Sequence, residues 1–220
     1  DLIKIMVTGG SMTPKSMPIN SQFDLDFLTK VVGEAKKLNY PVAAHCHGSD
    51  GILKAAEAGV STIEHCSWVG ESGWGRGFDM KTATLISKKE IWVSPTVNSG
   101  WKRYLESNYL EILRNNFKKM KEVGVRFIAS TDAGIPNIFH TDLPLAMPVF
   151  SEIAGLTNTE TLRAATSDAA RAIGLSGVTG SIESGRSADF VIYDENPLAD
   201  LNVLKAPKLV VVRGQEVSVD

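Results

Sequence analysis

The amino-acid sequence predicts an α/β fold on a parallel sheet, and within that class it favours part of a (β/α)8 barrel of the TIM type. Short runs rich in β-branched residues alternate with longer stretches of helical periodicity along most of the chain. The short runs are apolar almost throughout, which is typical of strands buried on both faces of a parallel sheet. The glycine fingerprints of nucleotide-binding sheets are absent, because Thr8-Gly9-Gly10-Ser11 matches neither of them.

Five strands are predicted in chain order, with helical segments between and after them. The strands cover residues 3–7, 41–44, 60–64, 91–94 and 125–129. The helices cover residues 24–38, 52–58, 80–89, 104–123, 142–154 and 158–173. Because strand–helix–strand units cross over with a right-handed turn, we expect the five strands to lie parallel in one sheet.

The last part of the chain has a different character. Residues 189–193 and 209–212 read as strands, and no helix between them is long enough for a crossover. We therefore expect two domains, a barrel portion over residues 1–178 and a β segment over 179–220. The chain opens directly on a strand, which leads us to expect that the natural protein extends further upstream.

Composition narrows the function classes. The 220 residues include 43% hydrophobic and 22% charged side chains, which is ordinary for a globular protein. The formal net charge of -2 gives no electrostatic reason to expect nucleic acid or an anionic membrane as a partner, so a small-molecule substrate is expected. The two cysteines, Cys46 and Cys66, form no disulfide framework, and a cytoplasmic location is expected.

Four polar side chains interrupt the apolar runs. Lys4 lies within the first strand, His45 and His65 close the second and third, and Asp132 follows the fifth. Working residues of barrels sit at the carboxyl ends of the strands. Burying any of these groups unpaired would cost several kcal/mol, roughly 2–7 for a neutral group. A shared metal ion would satisfy them together, because imidazole and carboxylate are standard ligands of Zn²⁺ and related ions.

Segments around these residues resemble the amidohydrolase superfamily, in particular its imidazolonepropionase-like and prolidase-like members. The resemblance rests on residues 3–10 (IKIMVTGG), 42–48 (VAAHCHG), 63–66 (IEHC), 130–134 (STDAG) and 180–191 (GSIESGRSADFV). It implies that the chain supplies barrel strands four to eight and part of a small β-sandwich. It also implies hydrolysis of an amide-type C–N bond in a dipeptide, an N-acyl amino acid or a cyclic amide.

The resemblance also implies residue roles. Lys4 would be carboxylated and bridge two metals, His45 and His65 would be metal ligands, and Asp132 would bind metal and carry a proton. Asp132 would take the proton of the attacking water and deliver it to the leaving nitrogen. One or two divalent ions are expected, with zinc as the first choice, although manganese and iron accept the same ligands.

Several other residues are candidates for lesser roles. His47, Tyr104 and His140 are candidate substrate contacts, but a loop position for either histidine and a helix-surface pair of Arg103 with Tyr104 remain open. Cys46 and Cys66 are expected to be buried packing residues instead of soft ligands. Glu64 precedes His65 and is expected to point the other way on the strand.

The chain departs from the family pattern in one respect. The His-x-His pair of the family's first barrel strand is missing, since the one such pair, His45 and His47, has the context of strand five. This leaves open a catalytically silent metal-binding fragment that works only in an assembly. Half a barrel exposes sheet edges, so a homo-oligomer or complementation by an N-terminal portion is expected. A deaminase is the nearest rival activity, and a metal-free doubly wound binding protein is a third possibility.

Overall fold

The computed structural model describes residues 2–218, which divide into two compact units. The first unit comprises the residues up to Thr96 together with Asn108–Phe127. It contains a five-stranded parallel sheet in the order β1-β2-β3-β4-β5. The strands are β1 Ile3–Met6, β2 Val42–Gly48, β3 Thr62–Val69, β4 Trp92–Ser94 and β5 Arg126–Phe127. The predicted parallel α/β sheet is confirmed.

Four helices connect these strands: α1 Leu25–Lys37, α2 Ser49–Ala58, α3 Met80–Lys88 and α4 Tyr109–Glu122. Local sequence fixes their ends. The side chains of Asp24 and Asp79 accept hydrogen bonds from the first turns of α1 and α3. Gly59 ends α2 with a φ of +78°, a left-handed conformation that glycine adopts without strain. Helix α2 packs against β2 and β3 and lies between α1 and α3.

The register of the sheet sorts its side chains by face. Residues paired across neighbouring parallel strands share a face, because side chains alternate along each strand. One row consists of Ile5, Ala44, Ile63, Val93 and Phe127, all of them buried. The other face carries two rows of more polar composition: Lys4, Ala43, Thr62, Trp92 and Arg126, and then Met6, His45, Glu64 and Ser94. The second row lies nearer the carboxyl ends of the strands.

The second unit comprises Val97–Ser107 and the described residues from Ile128 on. It contains α5 Leu143–Ala154, α6 Asn158–Ala165, α7 Ser167–Ala172 and 3₁₀ helices at Ser99–Tyr104 and Leu201–Lys205. Its antiparallel sheet consists of β6 Phe190–Ile192, β7 Leu209–Val212 and β8 Gln215–Val217. A small core forms where Met147 packs with Leu201 and Leu204.

Several element bounds differ from the predictions. β2 and β3 continue past the predicted residues 44 and 64 to Gly48 and Val69. The predicted helix over 158–173 is two helices, because Thr166 (φ −125°, ψ −97°) breaks the helical backbone. The predicted helix over 104–123 begins only at Tyr109, and its first residue belongs to a 3₁₀ helix.

The division of the chain at residues 178 and 179 stays a prediction. The end of the predicted β segment, residues 219–220, lies outside the described residues. Within the described part, no helix combines the length and the apolar character that crossing a membrane would require.

Candidate metal centre

Two histidines of β2 point to the same side of the sheet. His45 and His47 are two residues apart, so strand alternation places both side chains on one face. Both are buried, with 8% and 7% of their surfaces exposed. Their ring centroids lie 4.5 Å apart in an edge-to-face arrangement. The carboxyl end of β2 therefore presents two imidazoles side by side.

His65 joins them through an unusual backbone conformation. Its Cα pairs in register with Cys46, so regular alternation would turn its side chain toward the opposite face from His45. However, His65 has a φ of +66° and Cys66 a φ of +50°. Such left-handed conformations are costly for non-glycine residues and persist where the surrounding structure holds them, often at functional sites. The His65 ring lies 4.5 Å from that of His45 and 4.4 Å from that of His47.

The three rings form a group that can hold a metal ion. One ligand atom from each of His45, His47 and His65 lies within 4.8 Å of the others. Zinc binds imidazole nitrogen at about 2.0–2.1 Å, which spaces tetrahedral ligands by about 3.4 Å. Small ring rotations would therefore bring the nitrogens to bonding distance. The donor set fits zinc and the other borderline transition metals.

Hydroxyl groups fix two of the rings. The Nδ1 atom of His47 lies 2.9 Å from Oγ of Ser67, and Nδ1 of His65 lies 2.8 Å from Oγ1 of Thr96. Each hydrogen bond engages Nδ1 and leaves Nε2 of the same ring as the candidate ligand atom. Partners of this kind orient metal-ligating histidines and raise their basicity. Thr96 itself has a φ of +55°, so the strand end after β4 is also held in a strained conformation.

The third ring is held by the loop after β1. Nε2 of His45 lies 3.3 Å from the carbonyl oxygen of Gly9. A Cβ atom on Gly9 would lie 2.5 Å from the backbone oxygen of Met17, so only glycine fits there. The adjacent Thr8 is fully buried, and its hydroxyl accepts a hydrogen bond from the backbone N–H of His47. The segment after β1 thus contacts both histidines of β2, through the Gly9 carbonyl and the Thr8 hydroxyl.

Burial keeps the imidazoles of His47 and His65 neutral. Burial, together with the neighbouring His45 ring, lowers the pKa of His47 to about 3. Burial also lowers the pKa of His65 to about 2, with smaller contributions from the other two histidines and Lys4. A neutral imidazole keeps the lone pair that a metal needs. Both rings are therefore available as ligands throughout the neutral pH range.

The remaining predicted site residues are distributed over both units. Lys4 lies on β1 in the first unit, is exposed, and shares the sheet face of His45. Asp132, Tyr104 and His140 belong to the second unit. Asp132 follows the buried Thr131 and has a φ of +58°. A guanidinium nitrogen of Arg103 donates a 2.8 Å hydrogen bond to the Tyr104 hydroxyl. His140 is exposed.

The expectation of buried cysteines agrees with the structure. Both thiols are buried, and burial raises the pKa of each well above its usual value. Glu64 shares the face of His45 by register and accepts a 2.6 Å hydrogen bond from the Thr62 hydroxyl. Neither cysteine nor Glu64 belongs to the group that could hold a metal ion within residues 2–218.

Three residues of this centre were missed from the sequence. Ser67 and Thr96 hold histidine rings, and Trp74 contacts His47 with ring centroids 5.0 Å apart. Ser67 lies two residues after His65, and Thr96 two residues after the end of β4. For Thr96, the sequence offered one signal, its position just past the end of a predicted strand.

A parallel sheet with three imidazoles gathered at the carboxyl ends of its strands is typical of a barrel portion that can hold a metal ion. The sequence profile of the amidohydrolase family matches residues 1–217. The chain belongs to this family.

Relatives and solved structures agree with that assignment. Ochratoxinase of Aspergillus niger is 30% identical over 220 residues, an alignment covering 95% of this chain and 44% of the relative. Imidazolonepropionase of Mesorhizobium japonicum is 27% identical over 81% of this chain and 41% of its own length. A Xaa-Pro dipeptidase structure with bound methionine matches with a TM-score of 0.80 and 28% identity, over 100% of this chain and 55% of that one.

These comparisons confirm the family resemblance and the fold expected from the sequence, a barrel portion with strands in parallel followed by a small antiparallel sheet. They also confirm that the likeness covers a portion of the family's length. The chain spans about half the length of the proteins it matches, from 41% to 55% in these three.

Proposed function

We propose that the chain carries the metal-binding part of a hydrolase that cleaves amide-type C–N bonds by means of a metal-activated water. The substrate class is a dipeptide, an N-acyl amino acid or a cyclic amide. The single observation that carries the proposal is the group of three imidazoles at the strand ends, two of them oriented by hydroxyls. The relatives, an ochratoxinase, an imidazolonepropionase and a dipeptidase, support a C–N bond as the target.

The proposed metal ligands are those predicted from the sequence together with the third histidine of the cluster. His45 and His65 are proposed as metal ligands. Two additional ligands are proposed: Lys4, in the form of a carbamate, and Asp132. His47 was predicted as a substrate contact, and its place among the three rings makes it a further imidazole available to the ion. Zinc is the proposed ion, because a site rich in neutral imidazole suits it. Tyr104 and His140 remain proposed substrate contacts.

When bound, the ion would polarise the scissile carbonyl and lower the pKa of a water to about 7. The protein's own groups have separate tasks. Ser67 and Thr96 hold the His47 and His65 rings in one orientation, which avoids reorganisation during the reaction. Asp132 is proposed to accept the water's proton and to return it to the leaving nitrogen, a role that a carboxylate can fill.

A second candidate is a chain that binds metal without turning over substrate. The exposed apolar side chains of β1, Ile3 and Met6, favour it, because an open edge strand with such residues invites association with another chain. A homo-oligomer, or complementation by an N-terminal portion, would then precede activity. A metal-loaded chain that is inactive alone and active when assembled would support this candidate.

The proposal is tested by measuring metal content and activity together. The purified chain is loaded with Zn²⁺, dialysed, and assayed for bound metal and for hydrolysis of N-acyl amino acids and dipeptides. The variant His65→Ala is expected to lose the ion and any turnover. The matched variant His140→Ala removes an exposed histidine of the second unit and is expected to keep the ion. Unchanged metal content in His65→Ala would refute the ligand assignment.

A further inference from the structure

Trp74 is an exposed aromatic residue beside the histidine cluster. It lies in the loop between β3 and α3, and its ring meets that of His47 at a 5.0 Å centroid distance and an interplanar angle of 70°. In spite of this contact, 42% of Trp74 remains exposed, whereas Trp68 of the preceding strand is 1% exposed. An edge-to-face contact uses one edge or one face of the indole. The remaining surface is open next to the proposed ion site.

The loop that carries Trp74 is fixed by hydrogen bonds on both sides of this residue. Gly70 and Gly73 exchange backbone hydrogen bonds of 3.1 and 2.9 Å. After Trp74, the N–H of Gly75 donates to the Ser67 carbonyl at 3.0 Å, and the Gly75 carbonyl accepts from the Asn116 side chain at 2.8 Å. The exposed ring therefore stands on an ordered backbone.

Gly75 is required for this arrangement. Its φ is +72°, and a Cβ atom there would approach Cγ2 of Ile112 to 2.7 Å. The residue that follows the tryptophan must consequently be glycine for the loop to keep its conformation. Holding the ring in place before binding reduces the entropy lost when a ligand packs on it.

The surroundings of Trp74 select the kind of group that can pack there. The indole face carries a partial negative charge, which disfavours a carboxylate over the ring. A cationic group would be attracted to the ring alone, but it would be repelled by a divalent ion in the adjacent cluster. A neutral apolar or aromatic group avoids both the repulsion by the ring face and the repulsion by the ion.

We infer that Trp74 is a specificity-determining residue that packs against an apolar or aromatic group of the substrate next to the bond to be cleaved. This inference rests on the proposed function, since it takes the histidine cluster as the reaction centre. It narrows the substrate class to amides in which one substituent is a neutral apolar or aromatic group. Aromatic contacts of this kind contribute about 0.5–1.5 kcal/mol beyond area burial, which corresponds to a roughly two- to twelvefold gain in affinity.

The test compares two ligands that differ only in the group expected at Trp74. N-(phenylsulfonyl)glycine and N-(methylsulfonyl)glycine share a carboxylate and a sulfonamide that resists hydrolysis. Their affinities for the zinc-loaded full chain are measured by calorimetric titration, and the bound zinc is measured in each sample. We expect the phenyl ligand to bind roughly three- to tenfold more tightly to the unaltered chain.

The variants decide the assignment. Trp74→Ala is expected to bind both ligands equally and Trp74→Phe to retain part of the preference. Leu38→Ala, which removes an exposed apolar side chain at the carboxyl end of α1, is expected to keep all of it. If Trp74→Ala loses zinc, Trp74→Phe carries the comparison, because it keeps an aromatic ring against His47. An undiminished preference in the Trp74 variants, or no preference or binding in the unaltered chain, would overturn the inference.

Hydrolysis of N-benzoylglycine and N-acetylglycine, scored separately, distinguishes this inference from the proposed function. A Trp74-dependent preference without any turnover supports the tryptophan assignment and contradicts the hydrolase. Turnover together with a ligand preference that is unchanged in the Trp74 variants supports the hydrolase and contradicts the tryptophan assignment.

Discussion

Replacing Thr96 by valine removes the hydroxyl that orients His65 while keeping the shape of the side chain. The lost contact is the 2.8 Å hydrogen bond between Oγ1 of Thr96 and Nδ1 of His65. Thr96 has 7% of its surface exposed, so water has little access to replace the missing partner. Leaving a buried polar nitrogen unsatisfied costs about 1–3 kcal/mol of folding free energy.

The same variant should weaken metal binding by more than its effect on folding explains. Loss of an outer partner of a ligating histidine typically reduces metal affinity by about 10- to 100-fold. We expect this range for zinc, measured by competition with a chromophoric chelator, with stability measured by urea unfolding of the metal-free chain. Thr96→Ser keeps the hydroxyl and is expected to restore most of the affinity.

A control separates orientation of the ligand from general destabilisation. Thr82 is also a buried threonine of the first unit, its hydroxyl donates a hydrogen bond to Asp79 at the start of α3, and it is not a member of the histidine cluster. Thr82→Val should lower the free energy of unfolding by about 1 kcal/mol without changing zinc affinity. Equal zinc affinities in Thr96→Val and the unaltered chain would refute the positioning role of Thr96.

Three further outcomes follow from the described contacts. The stability of the metal-free chain should fall as pH drops below about 6.5, because the unfolded state then binds protons that folded His47 and His65, with pKa values of about 3 and 2, do not bind. Urea unfolding between pH 7 and pH 5 measures this. If the free energy of unfolding fell as steeply with pH in a variant lacking both histidines, the explanation would be contradicted. Cys46 and Cys66 should resist a thiol reagent in the native chain and react in denaturant, and rapid native labelling would refute their burial. Thr157→Ala should destabilise the second unit by about 1 kcal/mol, since it breaks the capping box of α6, and an unchanged unfolding midpoint would contradict this.

The sheet was predictable because its signal is local. Apolar runs separated by helical stretches fix the number and parallel arrangement of the strands, and all five lie where the patterns place them. The strand ends were less predictable. The predicted second strand stopped before His45, whereas β2 continues through both histidines to Gly48. The polar His45 was taken to mark the end of the strand. The buried imidazoles, however, form hydrogen bonds with partners at or just beyond other strand ends.

The candidate site was predictable only in part. Strand-end position identified His45 and His65 as a pair, and their rings do meet. Regular alternation, however, places Glu64 and not His65 on the face of His45. The left-handed backbone at His65 reverses this, and no periodicity indicates such a conformation in a non-glycine residue. The cluster therefore depends on tertiary structure.

The residues around the cluster were beyond sequence reasoning for a similar reason. Ser67 and Thr96 are common polar residues, and only their distances to the rings distinguish them from other hydroxyls of the chain. Trp74 lies in a glycine-rich loop, where its exposure and its contact with His47 follow from backbone hydrogen bonds. Long-range contacts of this kind leave no periodic trace in a single sequence.

X-ray absorption spectroscopy of the zinc-loaded chain tests the central claim most directly, because it reports which atoms surround the ion. The arrangement of His45, His47 and His65 predicts two or three imidazole nitrogens at about 2.0–2.1 Å and no sulfur. A shell at about 2.3 Å would identify a cysteine ligand, and a shell of oxygen without imidazole would place the ion elsewhere. Either result would contradict the account given for the histidine cluster.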